Sequence, residues 1–212
     1  MKKITLTILI MLILISTIGV IMIYDSLPQQ IPGQFGIDGK VQRYDDKSSI
    51  FITAAIPAFI LLMMFVLPKI DPKRKSYTKH KKAYEITTIT IIVVLIIIQW
   101  CIIFESLGFD LNINIYIKAI IGLLFIVLGN YMSQFRQNFF IGIKTPWTLS
   151  SEYVWRKTHR VGSYCFIIAG LILILTAFVE NKTIETIALV SIFGTVLIPC
   201  IYSYFIYKKE IS

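Results

Sequence analysis

Apolar residues fall in long blocks separated by short polar clusters, without the spacing of a one-sided surface helix. Residues 4–24, 48–67, 85–104, 115–133, 161–179 and 184–207 are rich in Ile, Leu, Val and Phe, and no block carries a charge near its middle. About 20 apolar residues in an α-helix cross the hydrocarbon core of a bilayer. An open sheet would leave backbone groups unpaired in lipid, so each block reads as a spanning helix. The pattern predicts an all-α integral membrane protein with six transmembrane helices. Lys2 and Lys3 before the first block resemble the start of a signal peptide. The block is longer than the usual apolar region and ends at Ile21-Met22-Ile23-Tyr24-Asp25, a poor cleavage context, so it is expected to remain as an anchor.

Composition excludes the other classes. Hydrophobic residues make up 56% and charged residues 16%, against about 45–50% and about 25% in soluble domains. Disorder needs low hydrophobicity and is excluded as well. The net charge of +9 therefore belongs to the loops, because charge is costly in hydrocarbon. Lys40, Arg43, Lys47, Lys118 and Lys182 fall on one side of the alternating spans, and the other 16 of 21 Lys and Arg fall on the opposite side. The positive-inside rule places that richer side, with both termini and the second and fourth loops, in the cytoplasm. Asp25, Asp38, Asp45, Asp46, Glu105, Asp110, Glu180 and Glu185, 8 of 12 acids, lie on the poorer side and agree. Lys118, in the first turn of its span, is expected to snorkel outward. Cys101, Cys165 and Cys200 lie inside spans and read as packing residues with no disulfide framework.

Three segments are expected: 1–70, a helical hairpin with an extracellular loop; 69–84, a basic cytoplasmic linker; and 85–212, a four-helix module with a cytoplasmic loop at 134–160. The linker sets Lys69, Lys73, Arg74, Lys75, Lys79, Lys81 and Lys82 against a single acid, Asp71. Facing the anionic lipids of the inner leaflet, each base contributes on the order of 1 kcal/mol. This reads as a topology-fixing, lipid-facing loop and not a nucleic-acid surface, with His80 solvated among its bases.

The outer loop is patterned. Pro28 and Pro32 stop the first helix, and Asp38-Gly39 is a tight-turn signal. A short hairpin against the outer surface is expected, anchored by Phe35, Ile37, Val41 and Tyr44. The inner loop is denser in polar and aromatic residues. Pro146 should end any preceding helix, and Ser150 should cap a helix from Ser151 with Glu152 in its first turn. At 100° per residue Val154, Trp155, Thr158 and Val161 share one face. Glu152, Arg156, Lys157, His159 and Arg160 share the other, which predicts an amphipathic helix in the fourth loop at the inner interface. Glu152 can pair with Arg156, and Trp155 neighbours His159, at i,i+4. Trp147 and Trp155 read as interface anchors, and Asn130 as a helix–helix hydrogen-bonding group. One His and one Glu make neither a metal site nor a nucleophile–base pair, so no enzyme activity and no cofactor are expected.

The outer segment LPQQIPGQFGIDGKVQRY resembles the LPxxIPxHFxxxG signature of a small membrane domain of unknown function that commonly precedes SdpI-type modules. The inner segment GNYMSQFRQNFFIGIKTPWTLSSEYVWRKTHR resembles the SdpI signature GN…N(F/Y)(F/W)xG(I/V)(R/K)TPWTLxxxxxWxxTH. Asn130, Asn138, Gly142, Lys144, Thr145, Pro146, Trp147, Thr148, Leu149, Trp155 and His159 stand at matching positions, and the likeness spans residues 24–165. It implies a multi-pass immunity protein of the bacterial cell membrane, protecting against a secreted, membrane-active peptide toxin of the sporulation-delaying type. Gln34 replaces a common His, so no pH switch carries over there. Lys144 replaces a frequent Arg and loses the bidentate fork.

The candidate binding residues are therefore Pro28, Pro32, Gln34, Phe35 and Gly39 outside. Inside they are Asn130, Asn138, Gly142, Lys144, Pro146, Trp147, Glu152, Trp155 and His159. The first reading is capture of a peptide toxin at the membrane. The alternative is a receptor coupling an outer ligand to a cytoplasmic regulator. A transporter is disfavoured because the spans hold Gln99, Pro57 and Pro199 but no midplane carboxylate. The oligomeric state is not legible in the chain.

Overall fold

The computed structural model describes residues 1–36, 40–109, 112–179 and 181–211. Chain order is α1 (Lys3–Ile23), a 3-10 turn (Tyr24–Ser26), β1 (Gln30–Phe35), β2 (Val41–Asp46) and α2 (Ser49–Ile70). Then come α3 (Ser76–Lys79), α4 (Lys81–Ser106), α5 (Ile113–Met132), α6 (Pro146–Ser150), α7 (Glu152–Thr176) and α8 (Lys182–Ile211). Among the described residues six helices, α1, α2, α4, α5, α7 and α8, are long and apolar enough to cross a membrane. Each contains or closely overlaps one of the apolar blocks. The bundle exposes large apolar side chains along its flanks, such as Met22, Ile52, Leu175 and Phe205. Lipid is the solvent that suits such a surface.

The helices fall into two groups joined by α4. In the first, α1, α2 and α4 meet over Leu9, Ile13, Leu61, Ile92 and Ile96. Trp100 Nε1 donates to Ser16 Oγ at 2.9 Å between α4 and α1. In the second, α7 packs extensively on both α5 and α8. Small residues make the α5–α7 approach close. A Cβ on Gly122 would stand 2.7 Å from the Gly170 carbonyl, and one on Gly129 would stand 2.8 Å from the Ser163 carbonyl. Ser163 Oγ donates to the Gly129 carbonyl at 2.6 Å across this seam. Neighbouring Asn130, the expected hydrogen-bonding group, is exposed on α5.

β1 and β2 pair antiparallel, Gln30 with Asp46 through Phe35 with Val41, with register irregularities around Gln34. The outer loop is thus a hairpin, and the molecule is not purely helical. Its anchors differ from the expected ones. Leu27 and Ile31 are the buried pair, sealed against Val20, Ile50, Ala54 and Ile103. Phe35 and Val41 are half-buried and Tyr44 is 57% exposed. Ile37 and the Asp38-Gly39 turn lie outside the described residues.

Two further expectations change. Lys118 does not snorkel: it is buried, with its ammonium 4.0 Å from Glu185 Oε1 on α8. Glu185 sits in the first turn of α8, so opposite charge is available inside the bundle at that level. The expected interfacial helix is not a separate element. Residues 152–162 form the first three turns of α7 and run unbroken into the fifth span.

Candidate functional site: the inner loop

Residues 133–145 form neither helix nor strand. Their backbone donors still require partners where they are buried. Five side chains supply many of them. His80 Nδ1 accepts from the Arg136 N–H at 3.1 Å. Asp71 Oδ2 accepts from the Phe139 N–H at 2.9 Å. Asn138 Oδ1 accepts from Phe140 and Ile141 at 3.0 and 2.7 Å, while its amide donates to the Arg136 and Ile141 carbonyls, both at 2.9 Å. His159 Nε2 accepts from the Ile143 N–H at 3.0 Å. Thr148 Oγ1 accepts from the Thr145 N–H at 2.9 Å.

Each group is fixed from behind. The Tyr77 hydroxyl donates to Asp71 Oδ2 at 2.9 Å and lies 3.2 Å from Asn138 Oδ1. Burial first, then the Asp71 carboxylate, push the Tyr77 pKa up from its ordinary value, so the hydroxyl stays a donor. Because His159 Nε2 accepts, Nδ1 carries the proton and donates to the Trp155 carbonyl at 2.8 Å. The Trp155 ring stacks on His159 at 4.0 Å, and its Nε1 donates to the Phe135 carbonyl at 2.9 Å. Gly142 has φ +117, and a Cβ there would collide with His159 Nε2 and approach Trp155 at 3.1 Å.

The motif thus divides by exposure. Asn138, Trp155 and His159 are completely buried, so they shape the loop from within. Lys144, Pro146 and Glu152 are exposed and Trp147 is half-buried. Lys144 Nζ donates to the Phe140 carbonyl at 3.1 Å. Trp147 packs edge-on against Tyr204 of α8 at 5.2 Å. Glu152 and Arg156 form no ion pair.

Several expectations need correction. Trp155 is a core ring and not an interface anchor. His159 belongs to the buried face, because the polar loop and not water meets it there. Pro146 does not end a helix but opens α6 at its first turn, where a missing N–H costs nothing. Thr145 caps α6 in a reciprocal box with Thr148. Ser151, one residue later than expected, caps α7 by accepting from the Val154 N–H at 3.2 Å.

The largest correction concerns the basic segment. Asp71, Tyr77 and His80 are buried there, while Lys69, Arg74, Lys75, Lys79, Lys81 and Lys82 are exposed. The missed signal was a lone acid followed by Tyr and His in a run of lysines, where solvated bases alone would need none of the three. The Lys73 ammonium also donates to Gln137, whose amide reaches the Thr148 and Leu149 carbonyls at 2.7 and 2.8 Å. Thr145 Oγ1 lies 3.0 Å from Ser203 Oγ, and Ser151 Oγ donates to Glu210 at 2.9 Å, tying α8 to the same end. Above the loop a cavity of about 520 Å³ opens among α4, α5, α7 and α8. Phe140, Ile141, Gly142, Ile143 and Lys144 lie along it.

At the other end Pro28 and Gln34 are exposed, Pro32 is buried and Phe35 is half-buried, so the structure separates the two sets of candidate residues by the length of the spans. Gly39 lies outside the described residues. Among the described residues no group of three or more His, Cys, Asp or Glu is placed to hold a metal.

Six spans, a pinned hairpin at one end and a side-chain-braced loop at the other define a multi-pass protein of the cell membrane. Residues 134–204 match the SdpI/YfhL protein family, and residues 11–57 match a domain of unknown function (DUF1648). The chain is 30% identical over 209 residues to the immunity protein SdpI of Bacillus subtilis (strain 168), covering 99% of this chain and 98% of that protein. The chain belongs to the SdpI family. No solved structure matches it.

Proposed function

We propose that this chain protects a bacterial cell against a secreted, membrane-active peptide toxin, and that it does so by binding the toxin at the membrane. The supporting observation is the full-length likeness to an immunity protein, which includes both the hairpin and the braced loop. Such a toxin reaches the hairpin side first if the basic end faces the cytoplasm. The hairpin suits a contact surface because Leu27 and Ile31 hold its base rigidly on three helices, leaving Pro28 and Gln34 exposed. Preorganisation of this kind lowers the cost of binding. The inner loop presents Lys144, Pro146 and Trp147 on a frame that its buried residues keep fixed.

Expression in a toxin-sensitive strain tests the reading. Survival should rise when the protein is present in the membrane and should fall with Gln34→Ala or Trp147→Ala at unchanged protein level. Unchanged killing, with the wild-type chain detected in the membrane, would refute immunity to that toxin.

A further inference from the structure

Where the starts of α1 and α4 meet the end of α2, a cleft of about 260 Å³ opens beside the basic segment. It is too small for a second helix, whose diameter with side chains is about 10 Å. Its walls are apolar toward the bundle, through Leu6, Met64 and Phe65, and basic at the rim, through Lys3, Lys69 and Lys81. The three lysines come from three different helices. Lys3 opens α1, Lys81 opens α4 and Lys69 lies in the last turn of α2. All three spans end at this level, so the rim sits at headgroup depth and the walls face hydrocarbon.

No acid lines the cleft, and none of the three ammonium groups has a carboxylate within ion-pairing distance among the described residues. The nearby acids are already engaged. Asp71 accepts from Tyr77, Phe139 and Lys73. Glu85 accepts from the Thr5 hydroxyl and the Lys2 N–H. The Lys69 ammonium lies 3.5 Å above the Phe65 ring, at the boundary between rim and wall. The Tyr77 and Tyr84 hydroxyls are turned to Asp71 and to the Met64 carbonyl, so the rings close the back of the cleft.

We propose that this cleft is a binding site for one anionic phospholipid. Lys3, Lys69 and Lys81 hold its phosphate, and an acyl chain lies along Leu6, Met64 and Phe65. Charge complementarity identifies the occupant: three cations at headgroup depth without anionic partners, above a greasy wall. The site is independent of the toxin reading, since lipid binding needs no toxin.

Purified full-length protein in phosphatidylcholine vesicles, probed with spin-labelled phosphatidylglycerol and spin-labelled phosphatidylcholine, tests it. The wild type should prefer phosphatidylglycerol at one site by on the order of tenfold, the attraction of the three bases being reduced by salt screening. The triple substitution Lys3→Gln, Lys69→Gln, Lys81→Gln should bring the two lipids close to parity. The charge-matched triple Lys75→Gln, Lys79→Gln, Lys82→Gln, in the same basic region but off the cleft, should keep the preference. Circular dichroism confirms that both variants remain folded. Absence of preference in the wild type, or equal loss in both triples, overturns the proposal. So does displacement of the lipid by inorganic phosphate at constant ionic strength, which would mark a simple anion pit.

Discussion

Gly142 is the residue at which the inner loop tolerates least change. Its φ of +117 already excludes a comfortable L side chain, and a Cβ would enter the His159 ring. Gly142→Ala should destabilise the protein by on the order of 2–4 kcal/mol, read from thermal unfolding in detergent. Gly108 makes the matched control. Its φ is +85 with nothing within 4 Å of a Cβ, so Gly108→Ala should cost only about 1 kcal/mol of backbone strain. Equal losses would mean that the His159 contact is unimportant. His80 gives a second test at this scale. Burial first, then the nearby Arg136, lower its pKa from 6.5 to about 4, against a smaller opposing pull from Asp71. A histidine with a depressed folded pKa contributes stability that is complete above about 6.5 and is lost as pH falls toward about 4. The ring accepts the Arg136 N–H through Nδ1, so protonation removes that acceptor. His80 should account for on the order of 2 kcal/mol of the stability that the wild type loses between pH 7 and pH 4, and His80→Gln, which keeps an acceptor without titrating, should lose correspondingly less. Parallel pH profiles would remove His80 from the account.

At the level of elements, lipid makes the sequence easy to read in some places and opaque in others. The six spans were legible because hydrocarbon demands about 20 apolar residues in succession, and the hairpin was foreshadowed by Pro28, Pro32 and the Asp38-Gly39 signal. Residues 151–162 were harder. Periodicity separates polar from apolar positions, but it does not distinguish a polar side chain facing water from one facing a polar loop. His159 is buried on that account, with Nε2 turned to the Ile143 N–H, and α7 begins as a brace for the inner loop before it becomes a span. The basic segment misled for the complementary reason: seven bases concealed three inward-facing residues whose partners lie more than 50 positions away. The α5–α7 seam was also invisible as a pattern, since isolated glycines in apolar blocks reveal no partner. Its test is Gly170→Ile. A Cβ there stands 2.5 Å from the Gly122 carbonyl, so the helices must separate, at a cost expected to exceed about 2 kcal/mol. Ser163→Ala, which removes one hydrogen bond across the seam, should cost nearer 0.6 kcal/mol. Urea unfolding in mixed micelles should rank the two in that order, and the reverse ranking would show that polar contact, not close packing, holds α5 to α7.

On the scale of the whole molecule, the structure gathers residues 71–80, the inner loop and the end of α8 at one end and the hairpin at the other, and which end faces the cell interior is a question of charge. The charge distribution does predict it: 16 of 21 Lys and Arg belong to the braced-loop side, and translocating them across the membrane is disfavoured. Single cysteines at Gln42 on the hairpin and at Lys75 in the basic segment, both exposed, separate the two orientations. Cys101, Cys165 and Cys200 are replaced by Ala in this background, since all three are free and only partly buried. A membrane-impermeant maleimide should modify Gln42→Cys in intact cells, and Lys75→Cys only after permeabilisation. The opposite pattern would place the hairpin in the cytoplasm, where a toxin arriving from outside does not meet it first. Capture would then have to involve the Lys144–Trp147 surface, while the lipid cleft, which needs only anionic headgroups at its own level, would persist in the other leaflet. The labelling result therefore decides which end of the protein a toxin-binding experiment should probe.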